Sequence, residues 1–238
     1  MVVTVLSSEK HVNARSLINK LLRSLPFDII VTVGGDGTFL KAFKISAQTG
    51  RPVLCVRNEK SKGVLAECDL SDIRTAAKKI KNKRFSVVRY PMLAGIADNH
   101  KLSGFNEIGF FRTSEEALRF DLFVNNALFY ENVVADGGII STPAGSTAYN
   151  ISAGGPVLDL ASKSLVFTPL NPHGLNKPIV FEGSVKIVFR RNSAQLFADG
   201  KKLYKAKNYL GVSKSDRNAN VISLKTPFYT RWKRIVGL

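Results

Sequence analysis

Short segments of the chain concentrate residue types that could handle a phosphorylated ligand. The first is Val33-Gly34-Gly35-Asp36-Gly37-Thr38, directly after the apolar run Asp28 to Val33. Glycines let a backbone turn sharply and approach a ligand closely. Amides at a helix start favour phosphate. A carboxylate repels phosphate, so Asp36 makes chemical sense facing a hydroxyl or a metal. The alternative is a plain strand–turn–helix junction with Asp36 as N-cap. The lysine and glycine spacings of a Walker A loop and of a dinucleotide fingerprint are missing.

The second segment runs from Asp136 to Tyr149 (DGGIISTPAGSTAY) and continues through Ser152 to Pro156 (SAGGP). It is dense in small and hydroxylated residues, and Tyr149 offers a ring for stacking on a base. A strand is expected to end at Thr142, with Pro143 to Thr147 opening a helix. A Gly/Ser-rich loop with a satisfied capping threonine is the alternative. The third segment is Asn106-Glu107, set among Gly104, Phe105, Ile108 and Gly109. An amide beside a carboxylate suits a base edge and a ribose diol, although the dipeptide alone reads as a surface turn.

The elements that must position these segments come in two textures. Up to about residue 85, strand and helix signals alternate. Val2 to Leu6, Asp28 to Val33 and Pro52 to Val56 read as buried strands. Val12, Leu17, Ile18, Leu21, Leu22 and Leu25 share a helical face, as do Ile73, Ala76, Ala77 and Ile80, with Ser71 as the expected cap. This alternation predicts an α/β N-terminal domain: a parallel sheet with flanking helices. From residue 86, strand-like runs dominate: Phe85 to Tyr90, Leu93 to Asp98, Phe120 to Val124, Val185 to Phe189 and Gln195 to Ala198. Asn125-Asn126 and Asp199-Gly200 supply turns. That is a mostly β C-terminal domain over residues 86–221. Residues 222–238 are expected to join residues 1–85, with a C-terminal helix (Phe228, Trp232, Ile235, Val236) packing back on the first domain.

The 238 residues carry a net charge of +17 and are 45% apolar, enough for a core without staples. Two cysteines, Cys55 and Cys68, make neither a disulfide framework nor a zinc site. No signal peptide or membrane span is legible, so the expected location is the cytoplasm, with no membrane partner. The basic residues are scattered, densest at 78–84, 201–207 and 231–234, without interleaved aromatics. They read as a solvated surface that can gather anionic substrates rather than as a nucleic-acid site. No His/Cys/Asp/Glu cluster has metal-ligand spacing, so no protein metal ligands are expected.

In order along the chain, GGDGTFLK (Gly34 to Lys41), NE (Asn106-Glu107), DGGIISTPAGSTAY, SAGGP and TPLNPH (Thr168 to His173) resemble the ordered signature of the NAD kinase family. The resemblance spans residues 29 to about 181. It implies transfer of a phosphoryl group from ATP or polyphosphate, with a divalent metal such as Mg²⁺, to the 2′-hydroxyl of the adenosine ribose of NAD. It also implies a homo-oligomer, dimer or tetramer. Asp36 would be the proton acceptor. Gly37 and Lys41 would lie near the pyrophosphate and ribose, with Gly35, Thr38 and Asn58 as further binding residues. Asn106, Glu107, Asp136, Ser146, Thr147, Ala148, Tyr149 and Ser152 would hold the dinucleotide. The chain departs from the family pattern at Ala144 (usually Thr or Ser), at Arg57, at Val64 (an aromatic lost) and at Lys201 in an Asp-Gly-Gln-like turn. A dinucleotide-binding sensor that has lost catalysis is the second reading.

Overall fold

Ile29-Ile30-Val31-Thr32-Val33 is β-branched throughout and wholly buried, as a strand covered on both faces must be. The computed structural model describes residues 2–7, 12–58, 63–225, 227, 229, 231 and 232. They fall into two compact units, residues 1–90 with 217–238, and residues 91–216.

In the first unit the chain runs β1 (Val3–Ser7), α1 (Val12–Leu22), β2 (Ile29–Val33), α2 (Asp36–Thr49), β3 (Val53–Arg57), β4 (Cys68–Asp69) and α3 (Ile73–Lys81). Strand β2 is central, parallel to β1 on one side and to β3 on the other. This is the helix-flanked parallel sheet that the alternation predicts. Ile18 and Leu22 of α1 and Ile73, Ala76, Ala77 and Ile80 of α3 bury against Val31, Val33, Leu54 and Val56. Ser71 is not a cap: it lies inside a 3₁₀ turn, Leu70–Asp72, and Asp72 precedes α3. Two aspartates beside the serine provide the polar start, and no side-chain cap bond forms.

The tail of this unit is fastened by a buried ion pair. Arg231 Nη1 lies 2.6 Å from Glu67 Oε1, and the Leu224 amide donates to Glu67 Oε2 at 2.8 Å. Burial pushes the Glu67 carboxyl up, and Arg231 and the Leu224 amide pull it back. Arg231→Met leaves that carboxylate buried without its cation, and urea denaturation is expected to show a loss of about 3 kcal/mol. Of the predicted C-terminal helix, Phe228, Ile235 and Val236 lie outside the described residues; Trp232 is half-buried.

The chain continues through β5 (Ser86–Ala97), β6 (His100–Gly104), β7 (Glu107–Arg112), β8 (Leu118–Val124), β9 (Ala127–Ala135), β10 (Gly137–Ser141), α4 (Tyr149–Ser152), β11 (Leu165–Leu170), β12 (Ile179–Phe181), β13 (Ser184–Arg191), β14 (Ala194–Ala198), β15 (Lys201–Ala206) and β16 (Tyr209–Ser223); residues 86–90 of β5 and 217–223 of β16 belong to the first unit, the rest to the second. The two predicted runs at 85–98 are one strand, β5, because Pro91 sits within it without ending it. A six-stranded sheet has the order β12-β11-β10-β7-β14-β15. Strands β9, β8 and β13 pair in a second layer, to which β16 adds through β13.

Phe110 of β7 meets Phe120 of β8 edge-on at 5.1 Å, and Phe120 meets Phe167 of β11 at 6.3 Å. Interlocked aromatics therefore join the two layers. The predicted turns hold: Asn125, Asn126, Asp199 and Gly200 all have positive φ, as tight hairpins require. Strand β15 ends its sheet with Lys201, Lys202 and Lys205 exposed. Charges there oppose pairing with a foreign strand.

Candidate functional site

In the first unit, β2 stops because Gly34 takes φ +150, a conformation that L side chains rarely adopt. A Cβ there would also lie 2.9 Å from Thr38 Oγ1. The turn is tied down by the Gly34 amide on Val56 O at 3.0 Å. Gly35 is the N-cap and Asp36 is the first residue of α2, so the cap reading of Asp36 is displaced by one residue. The Thr38 and Phe39 amides both donate to Gly35 O, at 3.0 and 3.1 Å. Around Gly37, apart from its chain neighbours and its own helix backbone, no atom of the described residues lies within 4 Å of an added Cβ. Packing does not demand that glycine, which leaves room for a ligand.

Asp36 is open to solvent at the residue level. Its carboxyl is nonetheless raised above the ordinary aspartate value by partial burial, with the Val64 amide pulling it part of the way back. Lys41 is exposed on α2, and Asn58 follows β3, half-buried. Arg57 is not free to meet a phosphate. Its Nε and Nη2 grip the two carboxylate oxygens of Asp69 at 2.6 and 2.9 Å, across the β3–β4 pair.

In the second unit, Glu107 is not on a surface turn. It opens β7 and is 4% exposed. The residues around it are apolar because they form a buried strand, and the polar pair sits where that strand begins. The link before it, Phe105-Asn106, is gripped from both sides. Asp199 Oδ1 accepts from the Phe105 and Asn106 amides at 2.9 and 2.8 Å. On the carbonyl side, Asn106 O accepts from the Thr142 amide at 3.0 Å and from Ser141 Oγ at 3.2 Å. Thr142 Oγ1 donates to Phe105 O at 2.8 Å and accepts from the Gly145 amide at 3.0 Å.

The stretch after β10 is not one helix. A 3₁₀ turn, Gly145–Thr147, breaks at Ala148 (φ −94, ψ −127) before α4. The Ser146 hydroxyl is wholly buried, donating to Pro143 O at 2.7 Å and accepting from the Leu158 amide at 3.0 Å. It shapes the loop rather than offering a group to a ligand. Asn150 braces the same loop through Ser146 O and Pro156 O and accepts from Thr168 Oγ1 at 2.7 Å. Thr147 and Ala148 are half-buried, and Tyr149 and Ser152 are exposed. The Tyr149 ring lies 6.0 Å from Phe197, which leaves part of its surface open for stacking.

Asn106, Glu107 and the 146–152 stretch are thus held together by Thr142 and Gly145. Asp136 is not part of that group. It lies at the other end of β10, about 17 Å along the strand. There Arg112 Nε meets Oδ1 at 2.9 Å and Asn171 Nδ2 donates to Oδ2 at 3.0 Å. Both carboxylate oxygens already have partners. Residue reading missed Thr142 and Asp199 as supports. The Asp-Gly dipeptide marked the turn, but nothing local shows that its carboxylate reaches back to residues 105 and 106.

Burial and the neighbouring Asp199 charge push the Glu107 carboxyl up to about 7, with the Gly200 amide opposing. Among the described residues, Glu107 Oε2 has no hydrogen-bond partner. In the unfolded chain this carboxyl titrates near 4.5. Between pH 4.5 and 7 the folded state therefore holds a proton that the unfolded state has lost, and stability falls as pH rises through that window. Glu107→Gln removes the effect. Relative to the parent it is expected to gain roughly 2–3 kcal/mol between pH 4.5 and pH 8. Urea melts at the two pH values check this.

The ATP-NAD kinase N-terminal domain family matches residues 5–85, and the ATP-NAD kinase C-terminal domain family matches residues 110–224. An NAD kinase of Aquifex aeolicus is 34% identical over 206 residues, covering 82% of this chain and 74% of that protein. A mitochondrial NADH kinase of Schizosaccharomyces pombe is 34% identical over 187 residues, 74% of this chain and 48% of that one. Among solved structures, an Archaeoglobus fulgidus NAD kinase in complex with ATP superposes with a TM-score of 0.83 over the whole of both chains at 24% identity. At that identity the likeness is one of fold: an α/β unit followed by a mostly β unit. The chain belongs to the NAD kinase family.

Proposed function

We infer that the chain is an NAD kinase, moving a phosphoryl group from ATP to the 2′-hydroxyl of the adenosine ribose of NAD to give NADP. Family membership supports this reading, and one local observation carries its chemistry. Asp36 stands at the first position of a 14-residue helix, at the end of a glycine turn, open to solvent and with a raised carboxyl pKa. A helix start favours the donor's phosphates. A ribose hydroxyl is too weak an acid for an aspartate to ionise in the ground state. In a loose phosphoryl-transfer transition state the hydroxyl loses its proton late. Asp36 orients the hydroxyl and takes the proton as the new P–O bond forms, and a raised pKa makes it a better acceptor.

Mg²⁺ would neutralise phosphate charge when bound with the donor. That hard, strongly hydrated ion would be held largely by the donor's phosphates and water, which leaves the Asp36 carboxylate for the hydroxyl proton. On the dinucleotide side, Asn106 and Glu107 are assigned to a base edge and hydroxyls, Tyr149 to stacking, and Thr147, Ala148 and Ser152 to the remaining contacts. Gly35, Gly37, Thr38, Lys41 and Asn58 are assigned to the pyrophosphate and ribose. Asp136 takes part only if it releases Arg112 or Asn171. We place the protein in the cytoplasm as a homo-oligomer. No helix among the described residues is long and apolar enough to cross a membrane, and light scattering of the purified protein reads the subunit count.

The deciding assay mixes purified protein with Mg²⁺, NAD or NADH, and ATP or polyphosphate, and detects NADP(H) with an NADP-specific dehydrogenase. NADP from NAD and ATP is expected. No product with any donor, despite NAD binding measured by calorimetry, would overturn the kinase reading.

A further inference from the structure

We propose that Asp199 is a positioning residue for the dinucleotide: from the β14–β15 turn it fixes the Asn106 peptide, and so aims the Asn106 carboxamide at its ligand. The inference rests on the assignment of Asn106 to dinucleotide recognition. Asp199 lies more than ninety residues along the chain from Asn106, yet its Oδ1 takes both amides of the Phe105-Asn106 link. Its own amide donates to Glu107 O at 3.2 Å. Three consecutive residues of the link and the start of β7 are thus bound to one side chain and its backbone. The opposite face of the Asn106 peptide is held by Thr142 and Ser141. No described residue bonds the Asn106 carboxamide, which is half-exposed. The main chain is fixed on both sides while the side chain is left available, as expected of a recognition group with a supporting shell.

Asp199 sits at φ +49. Asparagine and glycine both tolerate that conformation, so they separate backbone geometry from hydrogen bonding. Asp199→Asn keeps an oxygen acceptor in place, and Asp199→Gly removes it. Three readouts are taken: the KM for NAD, kcat, and hydrogen–deuterium exchange at the Phe105 and Asn106 amides. Asp199→Gly is expected to speed exchange at both amides and to raise the KM for NAD about tenfold or more. Its kcat should stay within about threefold and its KM for ATP unchanged. Asp199→Asn is expected to keep the KM for NAD within about twofold of the parent.

Unchanged exchange at the two amides in Asp199→Gly would overturn the clamp. Faster exchange with an unmoved KM for NAD would overturn its role in recognition. An asparagine variant as impaired as the glycine variant would overturn the acceptor argument, and that variant still tests the proposal if Asp199→Gly does not fold. Exchange needs no turnover. If the parent makes no NADP, the exchange data and calorimetric NAD binding still test the clamp, and only the kinase reading fails.

Discussion

Asp36→Asn is expected to lower turnover by about two to four orders of magnitude, the range for losing a general base, while the dissociation constant for NAD stays within about fivefold. The substitution is nearly isosteric. An asparagine oxygen can still accept from the Val64 amide, so the turn at the start of α2 keeps its geometry. What disappears is a group able to hold a proton. Ground-state binding does not use that capacity; the transition state does, once the ribose oxygen bonds to phosphorus. The loss therefore falls on kcat and not on affinity. Steady-state kinetics with calorimetric NAD titration separates the two. Turnover within tenfold of the parent would remove Asp36 from the proton-acceptor role.

Gly145→Ala is expected to cost about 4 kcal/mol or to prevent folding of the second unit. The argument is steric, because Gly145 does not need a positive φ. A Cβ built on it lies 2.0 Å from Asn106 O, 2.4 Å from Asn106 C and 2.5 Å from Asn106 Cα. All three are main-chain atoms, so no side chain can swing aside. The Asn106 peptide itself cannot retreat without breaking its bonds to Asp199 on one side and Thr142 on the other. Overpacking in a well-packed region commonly costs a few kcal/mol, and here neither backbone has room to yield. Guanidinium denaturation followed by tyrosine fluorescence measures the cost. A loss below about 1 kcal/mol would show that the link moves freely and would weaken the account of Asn106 as well.

The fold was legible wherever one signal sufficed. The alternation of β2, α2 and β3 needs only apolar runs of the right length and period. The turns at 125–126 and 199–200 announce themselves because left-handed backbone selects Asn, Asp and Gly. The misreadings lie at element boundaries, where several neighbouring residues could serve as the end. The runs Phe85 to Tyr90 and Leu93 to Asp98 read as two strands until β5 is seen to run through both. Ser71 reads as a cap until its neighbours Asp69 and Asp72 flank the 3₁₀ turn.

The candidate site divides the same way. Asp36 is marked by its own glycines, and the 136–156 stretch by its density of small residues. Ser146, within that stretch, is engaged in holding a loop, which follows from where Leu158 lies and not from any local pattern. Arg57 is matched to Asp69 only through strand register. Asp199 is invisible as a support because its carboxylate acts more than ninety positions away.

The Thr142 hydroxyl carries a consequence for how this protein can vary. Its proton points to Phe105 O, which leaves its lone pairs for the Gly145 amide. Through that one oxygen, together with Asp199, the segments at 105–106, 142–145 and 199 share a set of bonds in which each satisfies the next. Residues so linked do not tolerate change one at a time, since interaction energies within a network reach about 0.5–3 kcal/mol. The three segments are therefore bound by epistasis. A substitution at one alters which residues are acceptable at the others, and lineages of this enzyme should exchange them as a set or keep them all.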